Sequence, residues 1–219
     1  MPTLALATCA AHPRLYADDL PLIRALAARG VRAIAAIWHE PPPPKIDGWV
    51  IRSTWDYHLR HAEFLAFVDR EGSAHPMWNP PPLLRWNSHK TYLRALAGTG
   101  IAMVQPYLAS VESYGERSFF FMDGAYTHAV QRQAVLSAGF ESERPAPLVD
   151  PTGAERALCQ AALAALDTPP LYARVDLAPD ADGAPHLMEL ELIEPRLYFR
   201  EAPHAAERLA EALASRLDE

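Results

Sequence analysis

LYARVDLAPDADGAPHLMELELI, residues 171–193, is the stretch whose reading decides the fold. Two apolar-alternating runs, Leu171–Leu177 and His186–Ile193, flank Pro179-Asp180-Ala181-Asp182-Gly183, which reads as a hairpin with a longer turn. Strand side chains alternate faces with period two, so Tyr172, Arg174 and Asp176 share one face, opposite Ala173, Val175 and Leu177. On the second run Met188, Leu190 and Leu192 lie opposite Glu189 and Glu191. Any antiparallel pairing that joins the apolar faces therefore gathers Asp176, Glu189 and Glu191, with Arg174 in the same layer. Clustered carboxylates repel unless a cation offsets them, and hard oxygen ligands at this density suit magnesium. The bare pattern fits a solvated outer face equally well.

Outward from this hairpin, the first third alternates strand and helix signals. Thr3–Cys9, Val31–Trp38 and Gly48–Thr54 are short apolar runs, separated by helical spacing over Ala17–Gly30 and by the stiff loop Pro41–Pro44. His61–Arg70 is amphipathic, and Met77-Trp78-Asn79 leads into Pro80-Pro81-Pro82. This order predicts an α/β fold with a parallel sheet over residues 1–82. A second, α+β unit with an antiparallel sheet is expected over 83–219. Asn87 or Ser88 is placed to cap a helix running through Lys90 and Leu93 to Ala97. Asp123-Gly124 marks a tight hairpin turn, a helix follows over Ala154–Leu166, and an amphipathic helix over Pro203–Leu217 closes the chain. With 219 residues and a net charge of −7, the chain lacks the basic face that nucleic-acid binding needs. Its two cysteines make no disulfide framework, and no apolar run is long enough to span a membrane. A cytoplasmic location is the expectation.

Several motifs together resemble the ATP-grasp ligases. Arg174-Val175-Asp176 followed by Glu189-Leu190-Glu191-Leu192-Ile193-Glu194-Pro195 is similar to the metal-binding strands of the glutathione-synthetase-like branch, where an Asp is followed by Glu-x-Asn-x-x-Ser-Pro. Here Glu191 stands at the Asn position and Glu194 at the Ser position. RSTWDY, RWN-x-x-K, QPYL, GERS and MELELIEP, beginning at residues 52, 85, 105, 115 and 188, resemble the branch containing the ligase that closes the cycloserine ring from O-ureido-serine. The resemblance implies an N-terminal pre-ATP-grasp substrate domain over 1–82 and an ATP-grasp domain over 83–219. It implies ATP and Mg²⁺ as cofactors, with Asp176, Glu189 and Glu191 holding the metal. Lys90 and Arg132 would meet the nucleotide phosphates; Gln105, Tyr107 and Leu108 would line the adenine edge, and Glu112 would reach the ribose. The resemblance implies catalytic roles for Arg132 and Arg117. Arg52, Ser53, Asp56, Arg174 and Glu194 would face small, amino-acid-like carboxylate and amine substrates. Self-association is a further expectation, because many relatives self-associate.

Members of that family continue after the position of Gly100-Ile101 with a small lobe bearing a second nucleotide-binding lysine and a glycine-bearing loop. This chain runs from Gly100-Ile101 directly into Met103-Val104-Gln105, and its one other lysine is Lys45 in the proline loop. The expected activity is an ADP-forming carboxylate–amine ligation through an acyl-phosphate, impaired by the missing lobe. The alternative is a non-catalytic small-molecule binding module derived from such a ligase.

Overall fold

The computed structural model describes residues 1–97, 114–133 and 146–218. Gln105, Tyr107, Leu108 and Glu112 lie outside the described residues. Strands β1 (Thr3–Thr8), β2 (Arg32–Ile37), β3 (Gly48–Ser53) and β4 (Met77–Trp78) form a parallel sheet in the order β2-β1-β3-β4. Every residue of β3 is buried, as are Leu4 to Thr8 of β1, which is why both read as unbroken apolar runs rather than alternating ones. Helix α1 (Leu20–Ala28) packs Leu22 and Leu26 on one face of this sheet. Helix α2 (His61–Ala74) packs Phe64 and Phe67 against Trp38 and Trp49 on the other.

The second sheet is antiparallel, in the order β6-β5-β7-β8. It comprises β5 (Glu116–Met122), β6 (Ala125–Arg132), β7 (Tyr172–Pro179) and β8 (Pro185–Glu191). Asp123 and Gly124 both have positive φ, 51° and 72°, which is the backbone of the tight β5–β6 hairpin turn. Helix α5 (Gly153–Ala164) starts with a capping box between Thr152 and Glu155 and covers one face of the sheet with Cys159 and Ala162. Helix α6 (Pro203–Leu217) buries Ala205, Leu209 and Leu213 in a core shared by Leu4 and Leu6 of β1 and by Phe120 and Met122 of β5. One continuous apolar core therefore joins the two sheets. Among the described residues no helix is long and apolar enough to cross a membrane.

The structure corrects the sequence reading in two places. Helix α3 (Pro81–Asn87) starts in Pro80-Pro81-Pro82, since proline suits a first helical turn, and it already includes Asn87, one of the two residues expected to cap a later helix. Asn87 ends that helix, and the next, α4, spans Tyr92–Ala97, which leaves Lys90 between them. The Asn87 side chain does not cap a following helix. Its amide donates to Leu190 O at 2.8 Å and its carbonyl accepts from Leu192 N at 2.9 Å. The second correction is a bulge in the β7–β8 ladder. Asp176 pairs with Glu189 while Leu177 pairs with Leu187, so Met188 is the extra residue. Leu187, not Met188, joins Leu190 in the core.

His128 is buried, stacks on Phe120 at a centroid distance of 4.3 Å and lies with Nε2 3.0 Å from Leu197 O, which assigns that nitrogen the proton. Burial pushes its pKa down to about 4. A depressed histidine leaves the native state short of a proton that the unfolded chain binds, so stability is full above about pH 6.5 and falls as pH drops toward 4. The loss expected from this residue is about 3 kcal/mol. Urea unfolding between pH 7 and 4.5 should show a flatter pH dependence in His128→Asn; equal slopes would exclude the contribution.

Candidate active site

The face of the antiparallel sheet turned toward α6 changes character along its length. At one end it carries Phe120, Met122 and Tyr172, and at the other Glu116, Ser118, Arg132, Arg174, Asp176, Glu189 and Glu191. The register causes this directly. Ser118 pairs with Asp176, Asp176 with Glu189, Arg174 with Glu191, and Glu116 with Arg132. Residues directly across a ladder share a face, so the acidic trio converges as the alternation required.

Asp176 is the centre, with 1% of its side chain exposed. Its Oδ1 accepts from Ser118 Oγ at 2.7 Å and Arg174 Nε at 3.0 Å; its Oδ2 accepts from Arg132 Nη2 at 2.7 Å and Arg174 Nε at 3.1 Å. Burial pushes the Asp176 carboxyl up, but Arg132 and Arg174 outweigh it and hold the group below the usual range. Arg132 Nη2 also meets Glu116 at 2.8 Å, and Arg174 Nη2 pairs with Glu191. Lys90 Nζ lies 3.2 Å from Glu189. Glu189 and Glu191 keep 32% and 17% side-chain exposure and border a cavity of about 230 Å³ with Tyr57, Ser88, Lys90, Tyr92 and Glu194. Burial raises the carboxyls of Glu191 and Glu194, and Glu191 adds to the rise at Glu194, whose buried Oε2 has no hydrogen-bond partner among the described residues.

A Cβ on Gly115, at φ 77°, would come within 2.0 Å of Arg132 O, so only glycine lets the chain enter β5 beside Arg132. The end of β8 and the loop after it are clamped from the parallel-sheet side. Arg52 Nη2 donates to Pro195 O at 3.1 Å, Trp55 Nε1 to Glu194 O at 3.1 Å, and the Tyr172 hydroxyl sits between Ile51 O and Ile193 O.

The predicted residues do not all meet. Arg117 stands on the opposite face of β5, where its guanidinium pairs with Glu155 at 2.8 Å and donates to Asp150 O at 2.7 Å. The sequence reading placed Arg117 in the same region as Arg132; the strand alternation separates them. Arg52 is 2% exposed and paired through Nε with Asp19 at 2.8 Å. Ser53 Oγ is 3.0 Å from Thr8 Oγ1, and Asp56 accepts from Trp38 Nε1 at 2.7 Å. The three lie at and just beyond the carboxyl end of β3, each with its own partner, ahead of the segment that carries Tyr57 to the cavity. Tyr57, Tyr92, Ser88, Glu116 and Ser118 belong to the site region and carried no role in the sequence reading. Tyr57, Ser88, Glu116 and Ser118 fall inside the motifs RSTWDY, RWN-x-x-K and GERS, which was the available signal.

Comparison with known proteins matches this architecture. The family profile described as the N-terminal domain of D-cycloserine synthetase DcsG matches residues 4–79. The cycloserine biosynthesis protein DcsG of Streptomyces lavendulae is 29% identical, with 99% of each chain covered. The crystal structure of D-cycloserine synthetase DcsG superposes with a TM-score of 0.88 at 27% identity, covering 99% of this chain and 100% of that one. The chain is similar over its whole length to D-cycloserine synthetase DcsG. The ATP-grasp ligase PsnB, in complex with a precursor peptide and AMPPNP, shares the fold with a TM-score of 0.64 at 12% identity. The alignment with the Streptomyces protein runs over 297 positions, whereas this chain has 219 residues. That relative is therefore longer than this chain within the aligned region.

Among the described residues no group of three or more His, Cys, Asp or Glu side chains is arranged to hold a metal ion. Asp176 is filled by its arginines. Glu189 and Glu191 are hard oxygen donors that open on the cavity, and magnesium commonly binds through one or two carboxylates with substrate phosphates completing the shell. As far as the donor chemistry goes, the pair fits a divalent cation and Asp176, as it stands, does not.

Proposed function

We propose that this site is that of an ADP-forming ligase joining a carboxylate to an amine through an acyl-phosphate. The supporting observation is that Glu189, Glu191 and Lys90 line one cavity, with Arg174 paired to Glu191 and Arg132 joined to it through Asp176. Magnesium held at Glu189 and Glu191 would supply charge neutralisation at the phosphates. Lys90 is 75% exposed and tethered only to Glu189 among the described residues, so it is free to turn toward an entering phosphate. Arg132 and Arg174, fixed by Asp176, present planar guanidinium groups suited to a carboxylate or acyl-phosphate. The buried ends of β1 and β3, with Ser53, Asp56 and Tyr57, would shape the pocket for small amino-acid-like substrates. Arg52 acts there by holding the Glu194–Pro195 loop. The expected test result is ADP release from ATP that depends on an amino-acid-like acceptor in a version carrying the central lobe. No turnover over a broad acceptor panel would count against the ligase reading.

The second reading is a non-catalytic binding module, favoured by the difference between 297 aligned positions and 219 residues. ATP in an ATP-grasp protein is clasped between two lobes, and losing one removes charge and water exclusion around the triphosphate. Titration calorimetry of the 219-residue chain with ATP and Mg²⁺ is expected to give a Kd weaker than about 100 μM, an interaction under roughly 5.5 kcal/mol. Micromolar affinity would refute the impairment.

A further inference from the structure

We infer that Arg174 is the resident cation of the acidic cluster, and that a divalent ion enters by displacing its Nη2 from Glu191. The inference rests on the metal reading of Glu189 and Glu191 given above. One guanidinium reaches all three acids. Its Nε lies 3.0 and 3.1 Å from the two Asp176 oxygens, and its Nη2 pairs with Glu191 and lies 3.8 Å from Glu189. It therefore occupies the space where an ion bridging the three carboxylates would sit.

The two kinds of carboxylate differ in what they can give up. A carboxylate accepts about four hydrogen bonds, and Asp176 has Ser118, Arg132 and both Arg174 contacts filling its two oxygens. It is 1% exposed, and three donors, one of them the Arg174 Nε–H shared between both oxygens, already crowd it. Glu189 and Glu191 are more open, and each holds one close cation, Lys90 and Arg174 respectively. Lys90 is an exposed, flexible tether and leaves at little cost. Arg174 is 9% exposed and held by Asp176 as well, so it sets the barrier to metal binding. Five acids (Glu116, Asp176, Glu189, Glu191 and Glu194) face three bases (Lys90, Arg132 and Arg174), so resident cations offset most of the carboxylate charge before any ion arrives. A metal bound here would take Glu189 and Glu191 and leave Arg174 anchored on Asp176. Arg174 thereby fixes the ligand set at two carboxylates.

Mn²⁺ titration followed by electron paramagnetic resonance on the full chain tests this without any activity readout. Arg174→Met is expected to bind Mn²⁺ at least tenfold more tightly than the parent, and Arg174→Met/Glu191→Gln to lose that gain. Arg174→Lys keeps the charge but cannot touch Asp176 and Glu191 together, and should bind about threefold more tightly. It carries the comparison if Arg174→Met does not fold. Equal affinities in the parent and the Arg174 variants, with binding abolished by Glu191→Gln, would overturn the inference while leaving the metal site intact. Absence of Mn²⁺ binding at millimolar concentration in every variant would instead remove the metal reading itself, and this inference with it.

Discussion

Asp176→Ala is expected to destabilise the protein by about 3–5 kcal/mol, the scale for removing one partner of a buried charge network. The carboxylate is the common acceptor of Ser118, Arg132 and Arg174, and the variant leaves both guanidinium groups facing one another across a cavity. Arg132 keeps Glu116 and Arg174 keeps Glu191, so the loss stays below that of an isolated pair of buried charges. Urea unfolding at neutral pH measures it directly. Removing Arg174 along with Asp176 should recover part of the loss, because the repulsion between the arginines goes with it. The pH dependence has a definite sign. The Asp176 carboxyl is held below its ordinary value of 3.8, so its stabilisation is complete above that value and is lost as pH falls through the lowered one. A loss under 1 kcal/mol would mean that water, not Asp176, satisfies the arginines.

The same cluster shows which parts of the site could be read from sequence. Tyr172, Arg174 and Asp176 alternate with Ala173, Val175 and Leu177 without interruption, and a period of two fixes their face whatever the loop does. The bulge at Met188 was invisible because Leu187 and Met188 are both apolar, so the pattern does not say which one faces the core. Arg117 was misplaced for a similar reason. It precedes Phe119-Phe120-Phe121, a run buried on both sides that carries no parity, and Arg132 alone is fixed by its pairing with Glu116. Asn87 was read as a cap because its local context favours one, while its actual partners, Leu190 and Leu192, are distant in the chain. Local patterns report faces and turns; contacts across a hundred residues leave no local trace.

Asn79 is the sharpest instance of such a contact, and Asn79→Ala is expected to cost about 3–6 kcal/mol. Its side chain is fully buried just beyond β4, at the end of the parallel sheet. Its carbonyl accepts from Leu171 N at 2.6 Å, and its amide donates to Tyr172 O and Leu192 O, each at 2.9 Å. Leu171 precedes β7, Tyr172 begins it and Leu192 follows β8, so one side chain ties the parallel sheet to the hairpin that carries Asp176, Glu189 and Glu191. Alanine leaves three buried backbone groups unpaired, each worth about 1–3 kcal/mol, and water reaches only part of the space vacated. Asn87→Ala, with two such bonds, should cost less. Hydrogen exchange separates a local from a global effect. The Leu171 amide should exchange faster in Asn79→Ala than the overall loss of stability predicts, because its acceptor is gone in the native state itself. Urea unfolding that shows less than 1 kcal/mol lost, with Leu171 still protected, would mean that the apolar core and the bonds of Arg52, Trp55 and Tyr172 hold the two sheets together and position the site hairpin without this amide.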